Sequence, residues 1–230
     1  MYKEGIGMDY REKFANLQIL CRDHYTVAKG VLEALVSKHP SASATEMFCR
    51  LDKLSQMLGG ETMTNQLSNE AVRALTKLFN MAASMAYYVC SYNDGWTAVL
   101  HENFSVESIS SYAQEFSRDN PRYLVVALGA NYEQFVCVVY KDGQKVAEHY
   151  AGQELDHIGM KPHMGDIKLF AELLRCTEEE TYRALNADVE NLPEAMSQVL
   201  GHRIDLRADD IDPADGLEYL EVSAEGIRSC

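Results

Sequence analysis

Basic residues are scarce in this sequence of 230 residues, which has 21 lysines and arginines against 35 aspartates and glutamates and a formal net charge of −14. A protein that binds nucleic acid without sequence specificity needs clustered lysine and arginine to displace counterions from phosphate groups. This charge balance therefore argues against a nucleic-acid binder. Acidity suits a basic protein partner, although most acidic proteins are simply soluble ones.

Long apolar runs are missing as well. Residues 1–14 carry several charged side chains and no apolar stretch, so they do not predict a secretory signal. The longest stretch without charge, residues 78–93, contains polar side chains and is too short to span a bilayer. The six cysteines are scattered and form no C-x-x-C pair, unlike the disulfide framework of a small secreted protein. Together these absences predict a cytoplasmic protein without membrane contact.

The common catalytic motifs are absent too. The sequence has no G-x-x-x-x-G-K-[ST], G-x-G-x-x-G, G-x-S-x-G or H-E-x-x-H, which would indicate a P-loop, a dinucleotide site, a serine-hydrolase elbow or a zinc protease. We therefore expect no cofactor, with a divalent metal as the alternative.

The N-terminal part has the apolar spacing of helices. Apolar side chains recur at steps of three or four from Tyr10 to Leu35, with a step in register near His24. Two further stripes run through residues 47–58 and 67–85. Three amphipathic helices bury their apolar faces by packing together, so residues 1–91 are predicted to form an antiparallel helical bundle. Homodimerisation through these helices is a further hypothesis.

From about residue 92 the pattern changes to short strands with turn signals. Apolar runs at 96–101, 123–128, 135–140 and 146–150 predict strands, and Asp142 with Gly143 predicts a type I′ hairpin between the last two. Asp166 and Thr177 are predicted helix N-caps. The fold class is therefore α+β: the helical bundle, then a small, mostly antiparallel sheet with flanking helices in residues 92–204, and an acidic tail in 205–230.

One loop carries residues that could bind a metal. Asp156, His157, His163 and Asp166 combine imidazole and carboxylate groups, which suit a zinc or manganese site or a general acid–base pair. The alternative is a polar surface connection in which Asp166 only caps a helix.

Two further groups of residues could bind a protein partner. The tail is dense in acids, including Asp209, Asp210, Asp212 and Asp215, and such a surface can meet a basic protein. Tyr92 and Trp96 flank a turn, and aromatic residues with a polar edge are favoured where proteins bind one another. The alternative for both aromatic residues is ordinary core packing.

The order of elements from Gly95 to about Leu200, together with a G-D-x-x-L-F-x-x-L-L helix at residues 165–174, resembles a loose group of uncharacterised small acidic bacterial proteins. Proteins of this kind include immunity proteins that block toxins. The resemblance rests on structural residues and transfers no catalytic residue.

The leading hypothesis is a non-enzymatic cytoplasmic protein, of the immunity or adaptor type, that binds a basic protein partner. The alternative is a metal-dependent hydrolase that uses the loop of His157 and His163.

Overall fold

The computed structural model describes residues 14–38, 86–92, 95–153, 161–208, 211, 218–223 and 226–229. Within these ranges the strands are β1 (Phe14–Leu20), β2 (Tyr87–Ser91), β3 (Trp96–Leu100), β4 (Leu124–Ala130), β5 (Gln134–Lys141), β6 (Gln144–Gly152), β7 (Tyr219–Ser223) and β8 (Gly226–Ser229). The helices are α1 (His24–Lys38), α2 (Ile109–Asp119), α3 (Ile167–Leu174), α4 (Glu178–Leu185) and α5 (Leu192–Leu200). None of these described helices is long and apolar enough to cross a membrane.

All eight strands belong to one sheet with the order β6-β5-β4-β1-β3-β2-β7-β8. Every neighbouring pair is antiparallel. Strand β1 lies inside the sheet, where Leu17 is opposite Val99 of β3 on one side and Ala127 of β4 on the other. The sheet takes strands from all three of the segments 1–91, 92–204 and 205–230.

The predicted N-terminal helical bundle is wrong, because the described chain begins with strand β1 in the middle of an eight-stranded sheet. Phe14, Leu17 and Cys21 do have helical spacing, but β1 is buried on both faces, so burial does not alternate along it. The register step near His24 is the boundary where α1 begins. The predicted stripes at 47–58 and 67–85 lie outside the described residues.

Helices cover both faces of the sheet, as a sheet with two apolar faces requires. One face packs against α1 and α2, through Val27, Val31, Ile109 and Phe116. The opposite face packs against α3, α4 and α5, through Phe170, Leu185, Leu192 and Met196. We call these the α1–α2 face and the α3–α5 face.

Several local sequence signals are confirmed. The β5–β6 turn has positive φ at Asp142 (52°) and Gly143 (69°), as a type I′ turn requires. The Asp166 side chain accepts a hydrogen bond from the Leu169 backbone N–H at the start of α3. Thr177 and Glu180 form the capping box of α4.

We expect Gly165→Ala to destabilise the fold by about 1–3 kcal/mol, the usual cost of overpacking. A Cβ on Gly165 would lie 2.8 Å from the Glu148 carbonyl oxygen and 2.8 Å from Cδ2 of Phe170. The Phe170 ring is fully buried on the α3–α5 face, and the carbonyl is part of β6, so neither can move cheaply. Urea titration would measure the change in the free energy of unfolding.

Gly30→Ala is the matched control. Its Cβ would lie 2.8 Å from Oδ1 of Asn120, the end of a side chain that can shift more easily than backbone but whose Nδ2 donates to the Phe116 carbonyl oxygen at 3.1 Å. Alanine favours the helical backbone of α1 by about 1 kcal/mol, which offsets part of the cost of that shift. Equal losses in the two variants would contradict this account of Gly165.

Candidate functional site

The predicted metal loop is described only in part. His163 exchanges two backbone hydrogen bonds with Tyr150 at the edge of β6, both 2.9 Å long, and its side chain is exposed. Asp166 is exposed and caps α3. Asp156 and His157 lie outside the described residues. Among the residues that are described, no group of three or more histidine, cysteine, aspartate or glutamate side chains is placed to hold a metal. The metal site stays a prediction.

The residues predicted to bind a partner fall into two groups. Asp209, Asp210, Asp212 and Asp215 lie outside the described residues. Trp96 is buried, with 4% of its surface exposed, so its indole ring is not offered to a partner in this conformation. Tyr92 is half-buried and donates a hydrogen bond of 3.1 Å from its hydroxyl to the Arg203 carbonyl oxygen.

Tyr92 and Trp96 are neighbours of a buried polar network on the α3–α5 face. The Tyr92 ring stacks on the imidazole of His202, with centroids 4.1 Å apart and planes inclined by 23°. His202 belongs to residues 201–208, the segment that follows α5 and that we call the strap. Both aromatic rings therefore pack around the start of the strap.

Strand β1 supplies the other half of this network. Asn16 and Gln18 are fully buried. The Asn16 amide nitrogen donates to the carbonyl oxygens of Ile204 (2.7 Å) and Leu206 (3.0 Å) in the strap. A buried amide that lacks partners costs about 1–3 kcal/mol, so these bonds hold the strap against the centre of the sheet.

A shallow groove of about 460 Å³ opens at the end of the sheet where β4 turns into β5. One wall comes from that turn and from the end of β6, and the other wall comes from the loop between α4 and α5. The lining residues are Tyr132, Glu133, Gly152, Gln153, Asp188, Val189, Glu190 and Asn191. Three of these eight are acidic and none is basic, so the groove has a negative charge.

Hydrogen bonds donated by backbone N–H groups order both walls of this acidic groove. In the first wall, Asn131 Oδ1 accepts from the Glu133 N–H at 2.9 Å, and the Glu133 carbonyl oxygen accepts from the Gln153 N–H at 3.0 Å. In the second, the Asp188 carbonyl oxygen accepts from the Asn191 N–H at 2.8 Å. The walls are therefore formed before any ligand arrives.

An exposed aromatic residue lines the acidic groove together with the three acidic residues. Tyr132 is 62% exposed, the largest exposure among the large apolar and aromatic side chains that the structure describes. The ring face attracts a cation, and the carboxylates of Glu133, Asp188 and Glu190 do so as point charges. This combination suits a lysine or arginine side chain. The sequence pattern did not single out these residues, because they lie in two turns separated by more than fifty positions.

Two other histidines are buried in the neutral form. Burial lowers the pKa of His149 to about 4, and the nearby His163 contributes in the same direction. Burial also lowers the pKa of His101 to about 4. Nε2 of His149 is buried without a hydrogen-bond partner. Burial of an unpaired polar atom lowers the stability of the fold.

The chain matches no family model, and the comparisons with curated proteins and with solved structures give no match either.

The buried histidines predict a loss of stability in acid. In the unfolded chain a histidine takes up its proton near pH 6.5, whereas His149 in the fold does so only near pH 4. Between these values the unfolded state binds more protons, so stability falls as the pH falls. We expect His149→Asn to show a shallower fall than the original protein, measured as the free energy of unfolding in urea at several pH values.

His24→Asn is the control, because this histidine is partly exposed at the start of α1 and does not contribute to the pKa of His149. It should keep most of the original slope. A His149→Asn variant with an unchanged slope would show that the buried imidazole does not limit stability in acid.

Proposed function

We propose that this protein is a non-enzymatic cytoplasmic interaction protein, of the immunity or adaptor type, which binds a basic protein partner through the acidic groove. The observation that carries the proposal is that the exposed Tyr132 lines one groove together with the acidic residues Glu133, Asp188 and Glu190. The excess of acidic over basic residues in the whole sequence supports the same partner chemistry.

The groove suits a protein surface better than a small molecule. It is open to solvent, and seven of its eight lining residues are exposed. Sites for small molecules are usually concave and mostly apolar, and they bury most of the ligand. A shallow acidic surface with one aromatic anchor instead resembles part of a protein–protein interface, where aromatic residues carry much of the binding energy.

Charge at such a surface acts mainly on the rate of encounter. Carboxylates that stay in water lose little free energy of solvation and still attract a basic partner over about a Debye length. They also penalise acidic competitors. The prearranged walls reduce the ordering cost of binding.

The first experiment is affinity capture from the native cell lysate at low and high salt. It compares the original protein with a variant whose groove lacks the carboxylates. We expect the original protein to retain a basic protein at low salt. In the triple variant Glu133→Gln, Asp188→Asn, Glu190→Gln, the association rate with that partner should be about tenfold lower. Association rates at several salt concentrations measure this effect, and a short lysine-rich peptide serves as a defined probe.

A control variant removes the same number of carboxylates elsewhere. The chosen residues are exposed: Glu33, Glu107 and Glu218. Glu33 lies in α1, Glu107 shortly precedes α2, and Glu218 directly precedes β7. Their replacement by glutamine should change association much less. Equal effects of the two triple variants would contradict a role of the groove and leave only the net charge.

A separate prediction concerns the acidic tail, residues 205–230. If Asp209, Asp210, Asp212 and Asp215 also steer the partner, replacing all four by asparagine slows association and flattens its salt dependence. Unchanged association rates would remove the tail from the interface and leave the acidic groove as the binding surface.

A further inference from the structure

The acidic groove has hydrogen-bond acceptors on both of its walls. Glu133 and Gln153 supply side-chain oxygens on the wall formed by the β4–β5 turn and the end of β6. Asp188, Glu190 and Asn191 supply them on the wall formed by the loop between α4 and α5. Carboxylate oxygens and amide oxygens accept hydrogen bonds and cannot donate them. The groove therefore suits a ligand with several donors that point in different directions.

Water reaches nearly all of the groove, because seven of its eight lining residues are exposed and Val189 is half-buried. An ion pair between exposed side chains adds little to affinity, since both charges give up hydration to form it and salt screens their attraction. A charge alone therefore binds weakly at this site. An occupant that binds more tightly has to gain from contacts that persist in water.

Tyr132 can provide such a contact. It is 62% exposed and lines the same groove as the carboxylates. A tyrosine ring attracts a cation to its face, and a planar guanidinium group can also stack on it. The N–H donors of a stacked guanidinium lie at the edges of its plane, where they remain available to oxygens on either side.

Lysine and arginine gain differently from this arrangement. The ammonium group of lysine is compact and strongly hydrated, so in an open groove it gives up hydration and gains mainly an ion pair. The guanidinium group of arginine is more weakly hydrated, and its fork of donors pairs with a carboxylate through two parallel hydrogen bonds. An aromatic ring and acceptors on two walls therefore favour arginine.

We propose that the acidic groove is an arginine-selective docking site, in which one arginine side chain of the partner stacks on Tyr132 and donates hydrogen bonds to both walls. This inference rests on the proposed function and adds the chemistry of the side chain that is recognised. The charge of the groove attracts any basic segment, and Tyr132 selects arginine over lysine. The partner is thus a protein with an exposed arginine.

Two short peptides test this selectivity with the full chain. They are identical except that one has arginine where the other has lysine, so their charges are equal, and fluorescence anisotropy measures the Kd of each at low salt. We expect the Kd of the arginine peptide to be about fivefold lower, as stacking at an exposed ring allows. In Tyr132→Leu, which keeps every carboxylate, the ratio of the two Kd values should fall to about one.

Tyr182→Leu is the matched control. Tyr182 is 56% exposed in α4 and is not among the residues that line the groove. Its replacement should keep the preference for arginine. Urea titration of both leucine variants shows that the fold is intact, as expected for changes at exposed side chains.

The possible outcomes separate this inference from the proposed function. Equal Kd values for the two peptides, with both raised by Glu133→Gln, Asp188→Asn, Glu190→Gln, would overturn the selectivity and leave the groove as a surface for any basic partner. A preference for arginine that survives Tyr132→Leu would also overturn the inference. If neither peptide binds, or if the triple variant leaves both Kd values unchanged, the proposed function is contradicted together with the selectivity.

Discussion

Two buried amides on the central strand impose the main constraint on this fold. Asn16 and Gln18 point to the α3–α5 face of a central strand, and the strap covers them, so they are fully buried. Their partners in the strap lie 184 to 190 positions later in the chain. The C-terminal part must therefore return across the first described strand. The entropic cost of closing so long a loop rises only slowly with its length, so the hydrogen bonds and the burial of Ile204 can offset it.

Polar groups act in two different ways in this molecule. The amides of β1 are buried and must be paired, so they specify how the strap is seated and add little chemistry of their own. The carboxylates of the acidic groove remain in water, where they need no partner within the chain and are available to an incoming one. This difference separates the structural part of the α3–α5 face from the part that we propose to bind a protein partner. It also explains why changes in the groove should affect association more than stability.

Local signals in the sequence predicted much of the region from β3 to α5. The turn at Asp142 and Gly143 needs a backbone conformation that few other residue pairs adopt, and the caps at Asp166 and Thr177 need a side-chain oxygen three residues before an orphan N–H. Such features depend on neighbours in the chain, so they can be predicted without knowledge of the tertiary structure.

The features that depend on distant partners were not predictable in this way. In β1, the polar residues Asn16 and Gln18 stand where a half-exposed strand would place its outward side chains, so their burial becomes visible only with the strap in place. The helical spacing of Phe14 and Leu17 then predicted a helix where the structure has strand β1. The acidic groove likewise joins two turns, and neither turn carries a motif by itself.

The contact between β1 and the strap can be measured directly. In a sample labelled at asparagine, nuclear Overhauser effects from the side-chain amide protons of Asn16 should reach Ile204 and Leu206, and these amide protons should exchange slowly with water because both are buried. Fast exchange without contacts to either residue would contradict the contact between β1 and the strap, and with it the constraint on the fold.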